Sequence, residues 1–149
     1  MNGAMKSRVK VSFRLTRDAD DYPPADWEHL WAIPRDADQF ELDNIPFFAR
    51  GVASGDLVSA RSDGDQLVFD QVTLSGGHST VRVIMYDTSQ KAAVRDELAK
   101  LGCESEGSHL PSLFSVDVPP TVDYANVISL LEGKAKADIL DYEEAAIRH

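Results

Sequence analysis

The apolar rhythm of this chain changes at Gly76-Gly77, and that change constrains the fold more than any other feature. Before it, apolar residues recur with a period of two in short runs broken by turn residues. Val9, Val11, Phe13 and Leu15 alternate with Lys10, Ser12 and Arg14, the pattern of a half-buried strand. Further strands are expected over 27–33, 39–42, 57–60 and 66–74. The last two are joined by the polar hairpin loop Ser62-Asp63-Gly64-Asp65. Pro46 keeps the bulky segment 44–48 out of a central strand. Trp27, Trp31, Phe40, Phe47 and Phe48 are expected in the core, where large aromatics usually lie.

After the glycines, helical spacing appears. A strand over 79–86 leads to a helix over 90–101, with Ser89 as its cap, Val94, Leu98 and Leu101 as its apolar face and Gly102 as its stop. Strands over 103–109 and 113–118 follow. Pro119-Pro120-Thr121 opens a second helix, with Thr121 as cap and Tyr124, Val127, Ile128 and Leu131 on its buried side. The segment 139–142 reads as a last strand, although 143–146 would suit a helix equally. The expected fold class is therefore α+β. A small β-sheet or SH3-like barrel spans 1–76, and a ferredoxin-like β-α-β-β-α-β unit spans 77–149, the two sharing a core.

The charge excludes some partners. The 149 residues include 15 basic and 25 acidic groups, a formal net charge of −10. A duplex DNA binder needs a basic face, and so does a protein that docks on an anionic membrane. The imbalance is local. Lys6, Arg8, Lys10, Arg14 and Arg17 meet no acid in the first seventeen residues. The stretch 18–43 then carries Asp18, Asp20, Asp21, Asp26, Glu28, Asp36, Asp38, Glu41 and Asp43 against Arg35 alone. A solvated face is the ordinary use of such acids, and steering of a basic protein partner is the sharper one. Asp36, Asp38, Glu41 and Asp43 are the expected partner-binding residues. Cys103 is the single cysteine, so no intramolecular disulfide can form, which fits a reducing cytosol. Neither a signal peptide nor a run of roughly 20 apolar residues is present, and a cytoplasmic location is expected.

Chemistry-bearing motifs are sparse. His29, His78, His109 and His149 stand apart from one another and from Cys103, so no metal and no cofactor is expected. The densest polar cluster is Gly76-Gly77-His78-Ser79-Thr80, with Arg82 on the following strand. His78 could serve as a general base and Ser79 as a hydroxyl donor. A glycine-rich turn that satisfies its own backbone is the plainer reading. Glu28, Trp31 and Asn44 lie near turns in the first half, where ligand sites gather, and Asp43-Asn44 is also ordinary turn chemistry.

Several segments together resemble a family: Trp27-Glu28-His29-Leu30-Trp31-Ala32, Asp43-Asn44-Ile45-Pro46-Phe47-Phe48-Ala49, Gly55-Asp56-Leu57-Val58 and Gly77-His78-Ser79-Thr80-Val81-Arg82. In that order they are similar to the bacterial domain of unknown function 4265, from Val9 to the final acidic segment. The resemblance implies a small stand-alone cytoplasmic bacterial protein. It implies no activity and assigns no catalytic residue.

Size, acidity and the lack of a catalytic signature favour a protein-binding inhibitor, such as an immunity protein that neutralises a basic bacterial toxin. The alternative is a ligand-binding or hydrolase-type protein with Glu28, Trp31, Asn44, His78, Ser79 and Arg82 around the seam at 76–77. Single-stranded RNA binding ranks last. It needs aromatic and basic side chains on an open face, and the second half offers only Tyr86, Phe114, Tyr124 and Tyr142 with few strand cations.

Overall fold

The computed structural model describes residues 7–36 and 38–149; Lys6 and Ala37 lie outside them. The fold is mixed α+β, and the chain divides into two units, Met1–Gly76 and Gly77–His149.

In the first unit, β1 (Val9–Arg14), β2 (Trp27–Pro34), β3 (Gln39–Leu42), β4 (Leu57–Asp63) and β5 (Gln66–Leu74) close into a barrel in chain order. Neighbours pair antiparallel. Closure comes from a short parallel pairing of β1 with β5, Val11 opposite Leu67 and Ser12 opposite Val68. A closed barrel leaves no edge strand to template aggregation. The alternation of β1 turns Val11 and Phe13 inward, where Phe13 stacks on Phe69 at 4.6 Å. Leu30, Ala32, Phe40, Leu42, Ala49, Val52 and Val58 complete the core.

Two aromatic expectations fail here. The inward phase of β2 is Glu28, Leu30 and Ala32, so Trp27 and Trp31 sit on the opposite face. Trp31 is 37% exposed and Trp27 half-buried. Phe40 is buried, and Phe47 and Phe48 are partly so.

Gly76 answers a backbone constraint. Its N–H donates to Asp56 Oδ1 at 3.1 Å, and a Cβ at this position would lie 2.5 Å from the Gly55 carbonyl oxygen. The close approach is to a neighbouring turn. Gly76→Ala should therefore cost about 1–3 kcal/mol, the usual range for overpacking. A urea titration would show a lower midpoint at unchanged slope. A midpoint equal to that of the parent would refute the constraint.

In the second unit, β6 (Ser79–Met85), β7 (Glu104–Gly107), β8 (Leu113–Val118) and β9 (Leu140–Ala146) form an antiparallel sheet in the order β7-β8-β6-β9. Helix α1 (Lys91–Lys100) joins β6 to β7, and α2 (Tyr124–Lys136) joins β8 to β9. Val81, Val83, Phe114, Val116 and Val118 pack with Val94, Leu98, Val127 and Leu131 of the helices.

The caps differ from expectation. Asp87 Oδ1 accepts from Ser89 N–H and opens a single 3-10 turn, Thr88–Gln90, ahead of α1. Asp123 Oδ1, not Thr121, caps α2 by accepting from Ala125 N–H. A carboxylate two residues before a backbone N–H closes such a turn readily. The final segment is strand as far as Ala146, because Thr80 through Met85 of β6 supply a partner along its whole length. None of the described helices is long and apolar enough to cross a membrane.

Candidate functional site

Glu28 lies at the inner end of β2, opposite Phe13 of β1. Its carboxylate is buried and accepts three backbone N–H groups, from Phe47 at 2.7 Å, Phe48 at 3.1 Å and Ala49 at 2.8 Å. Hydrogen bonds to a charged group contribute about 1.5–3 kcal/mol each, which offsets the cost of burying the charge. Glu28 thus clamps the loop after β3. Asn44 works similarly: its Oδ1 accepts from Trp31 N–H at 3.1 Å. Both Glu28 oxygens and Asn44 Oδ1 are thus engaged by backbone N–H groups.

The Trp31 ring has Arg8 Cζ and Lys10 Nζ each 4.9 Å from its centroid, and Arg14 Cζ lies 5.5 Å from that of Trp27. Exposed cation–π contacts contribute about 0.5–1 kcal/mol each.

The acidic residues separate. Asp36 and Glu41 line an open groove of about 380 Å³ together with Arg35, Leu57 and Leu74. Leu74 is 66% exposed. Glu41 Oε1 accepts from Arg35 Nη2 at 2.9 Å and Nε at 3.2 Å. Asp38 is exposed in the β2–β3 turn, with a left-handed φ of 59°. Asp43 accepts from Arg8 Nη1 at 3.1 Å and does not line the groove.

In the second unit, the sheet face away from the core carries polar rows. The register sets Thr80 beside Asp117, Arg82 beside Ser115, and Arg82 beside Glu143. Thr80, Arg82, Ser115 and Asp117 are all buried. Arg82 Nη1 donates to Glu143 Oε1 at 3.1 Å.

His78 Nδ1 lies 2.8 Å from Asp117 Oδ1. A carboxylate accepts, so Nδ1 carries the proton, and Nε2 of the neutral ring is left as an acceptor. Burial raises the Asp117 carboxyl above the usual carboxylate range, and the His78 hydrogen bond opposes that rise. The His78 side chain is 24% exposed. Orientation of an imidazole by a carboxylate is the geometry of a general base.

Ser79 is fully buried. Its Oγ accepts from Arg148 N–H at 2.8 Å and lies 2.6 Å from His149 Nδ1. His149 Nε2 contacts the Pro119 carbonyl at 2.8 Å, so Nε2 is the protonated nitrogen. In the neutral ring, Nδ1 accepts from the Ser79 hydroxyl. Ser79 therefore ties the residues after β9 to the start of β6, and His149 carries the tie on to the Pro119 carbonyl before α2. Tyr124 stacks on His149 and donates to Glu144 Oε1 at 2.8 Å; burial and that bond push its hydroxyl pKa up.

The sequence marks neither Asp117 nor Glu143 as a site residue, and presents His149 only as an isolated histidine. One signal for Asp117 was available. Ser115 and Asp117 alternate with Phe114, Val116 and Val118, so two polar residues share the face opposite the apolar one. Among the described residues, no group of three or more His, Cys, Asp or Glu is placed to hold a metal ion.

No curated protein matches this chain. A crystal structure of a hypothetical protein from Neisseria gonorrhoeae shares its fold, with a TM-score of 0.80, 22% identity and 99% of each chain covered. The family model for Domain of unknown function (DUF4265) matches residues 28–142, a span that holds the clamp of Glu28, the Gly76-Gly77 junction and the His78–Asp117 pair. By that match over most of its length, the chain belongs to the DUF4265 family.

Proposed function

We propose that this is a small acidic cytosolic protein that acts by binding another protein, an inhibitor most like the immunity proteins that neutralise bacterial toxins. The groove beside β3 carries the reading. Asp36 and Glu41 frame Leu57 and the largely exposed Leu74. An apolar anchor point rimmed by carboxylates suits a basic partner, which the acids attract and the leucines hold. Asp38 adds charge beside the groove, while Glu41 and Asp43 contribute less because Arg35 and Arg8 engage them, which leaves Asp36 and Asp38 as the principal steering charges. The closed five-stranded barrel and the β7-β8-β6-β9 order support SH3-like and ferredoxin-like assignments for the two units. Both are rigid platforms for a docking surface.

Immobilised full-length chain, exposed to extract of the source organism, should retain a basic protein at low salt and release it as salt rises. Retention of no protein at micromolar concentration would count heavily against this function. The product of the adjacent gene is the first candidate to test as a toxin domain.

A second reading, ligand binding or hydrolysis in the second unit, is favoured by the His78–Asp117 pair alone. Ser79 offers it no nucleophile, since its hydroxyl is buried and engaged. Arg82 is paired with Glu143. Loss of a measured ligand affinity in His78→Gln, with the fold intact, is the result that reading requires.

A further inference from the structure

We propose that the outer face of β1 and β2 is a track for single-stranded nucleic acid, with Trp27, His29 and Trp31 stacking bases and Arg8, Lys10 and Arg14 holding phosphates. The geometry follows from strand pairing. Trp27, His29 and Trp31 alternate with the inward Glu28 and Leu30, so they form one outward row. Alternate strand residues stand about 7 Å apart. That step is roughly twice the stacked-base rise of about 3.4 Å and suits a strand whose bases are splayed.

The register places Lys10 opposite Trp31, Ser12 opposite His29 and Arg14 opposite Trp27. Two cations, Lys10 and Arg14, thus flank the buried Ser12 beside the aromatic row, at the ordinary strand separation of about 4.8 Å. Ser12 Oγ lies 2.8 Å from His29 Nδ1 and fixes the middle ring. Trp31 and His29 are exposed, and Trp27 is half-buried. The inward side chains of the same two strands are core, so the platform is rigid.

Arg8 and Lys10 rest against the Trp31 ring, and Arg14 rests against Trp27. Base–indole stacking is stronger than an exposed cation–indole contact, so an arriving base can displace the cation toward its own phosphate. Arg8 is shared with Asp43, which leaves Lys10 and Arg14 as the principal phosphate contacts. An acidic peptide would use the cations and leave the rings idle. A duplex hides its bases, and the net charge of −10 opposes its larger charge density. The basic N-terminal stretch thereby gains a use that the acidity of the rest of the chain conceals.

The chain has two tryptophans, and both lie on this face, so its own fluorescence reports the track directly. The full chain is titrated with oligo(dT) of about twelve nucleotides at about 50 mM salt. Quenching is expected, with log K falling against log salt at a slope of about −1.4, that is about −0.7 for each of the two phosphates held by Lys10 and Arg14. Trp31→Ala should weaken binding about tenfold. The combined change Lys10→Glu and Arg14→Glu alters only exposed side chains. It should weaken binding at least tenfold and flatten the salt slope, with an unchanged circular dichroism spectrum as the control. Three results would overturn the proposal: no quenching up to about 100 μM oligonucleotide, binding untouched by the charge changes, or equal affinity for a poly-glutamate peptide of the same length. The last would assign the face to acidic peptides.

Discussion

Glu28→Ala lowers the stability of the barrel unit by about 3–5 kcal/mol, because one substitution strands three backbone donors. The Phe47, Phe48 and Ala49 N–H groups all depend on this carboxylate. Water can reach those of Phe47 and Phe48 in part. That of Ala49 is buried, so its loss carries the full cost of an orphaned donor. The expected fall in Tm is on the order of 10 °C for a chain of this size. Glu28→Gln keeps one carbonyl oxygen and should lose about half as much. A loss under about 1 kcal/mol in Glu28→Ala would show that the loop holds itself and that the clamp is incidental.

The second large effect is on Cys103. The residue is 1% exposed within the core of the second unit, and burial, assisted by the nearby Asp117 charge, pushes its thiol pKa up to about 11. The neutral thiol is favoured in the folded state, so the thiolate fraction stays low until pH approaches that value. Near pH 8, alkylation by iodoacetamide should run roughly a hundredfold slower in the native chain than in denaturant, from the thiolate fraction alone. Burial slows it further. The native rate should still climb about tenfold per pH unit above 8, where an ordinary thiol has begun to level off. A native rate that levels off near pH 9, or one equal to the denatured rate, would contradict this environment.

Local pattern predicted local structure well, and contacts between distant segments were beyond its reach. The alternation of 9–15 specified both β1 and its inward side chains. Turn chemistry placed the β4–β5 hairpin, but the expected loop 62–65 is shorter in the structure: Ser62 and Asp63 pair with Leu67 and Gln66, and only Gly64-Asp65 turns. In the second half, the change from a period of two to helical spacing marked both helices.

Size alone places Trp27 and Trp31 in the core, whereas the alternation of β2 turns Glu28, Leu30 and Ala32 inward instead. Glu28 on the inward phase makes sense only once Phe47–Ala49, about twenty residues later, supplies N–H groups. His78 and Asp117 stand 39 residues apart, and Ser79 and His149 stand 70 apart. Such pairs are made by register, and a single sequence does not display register across a crossover. The acid cluster divided for the same reason. Pairing with β4 brings Gln39 and Glu41 of β3 beside Leu57 and Ser59, whereas Asp43 reaches Arg8 near the start of β1.

In the proposed function, Asp36, Asp38 and Glu41 steer a basic protein to the groove beside β3. The most direct measurement of that steering is the association rate of the captured basic partner with the parent chain and with the Asp36→Lys, Asp38→Lys, Glu41→Lys variant, across a salt series. The parent should associate fast at low salt and slow steeply as salt rises. The variant should associate at least tenfold more slowly at low salt and show a nearly flat salt dependence, because steering acts on the on-rate. An unchanged on-rate in the variant would contradict the claim and leave these acids as a solubility feature of the surface.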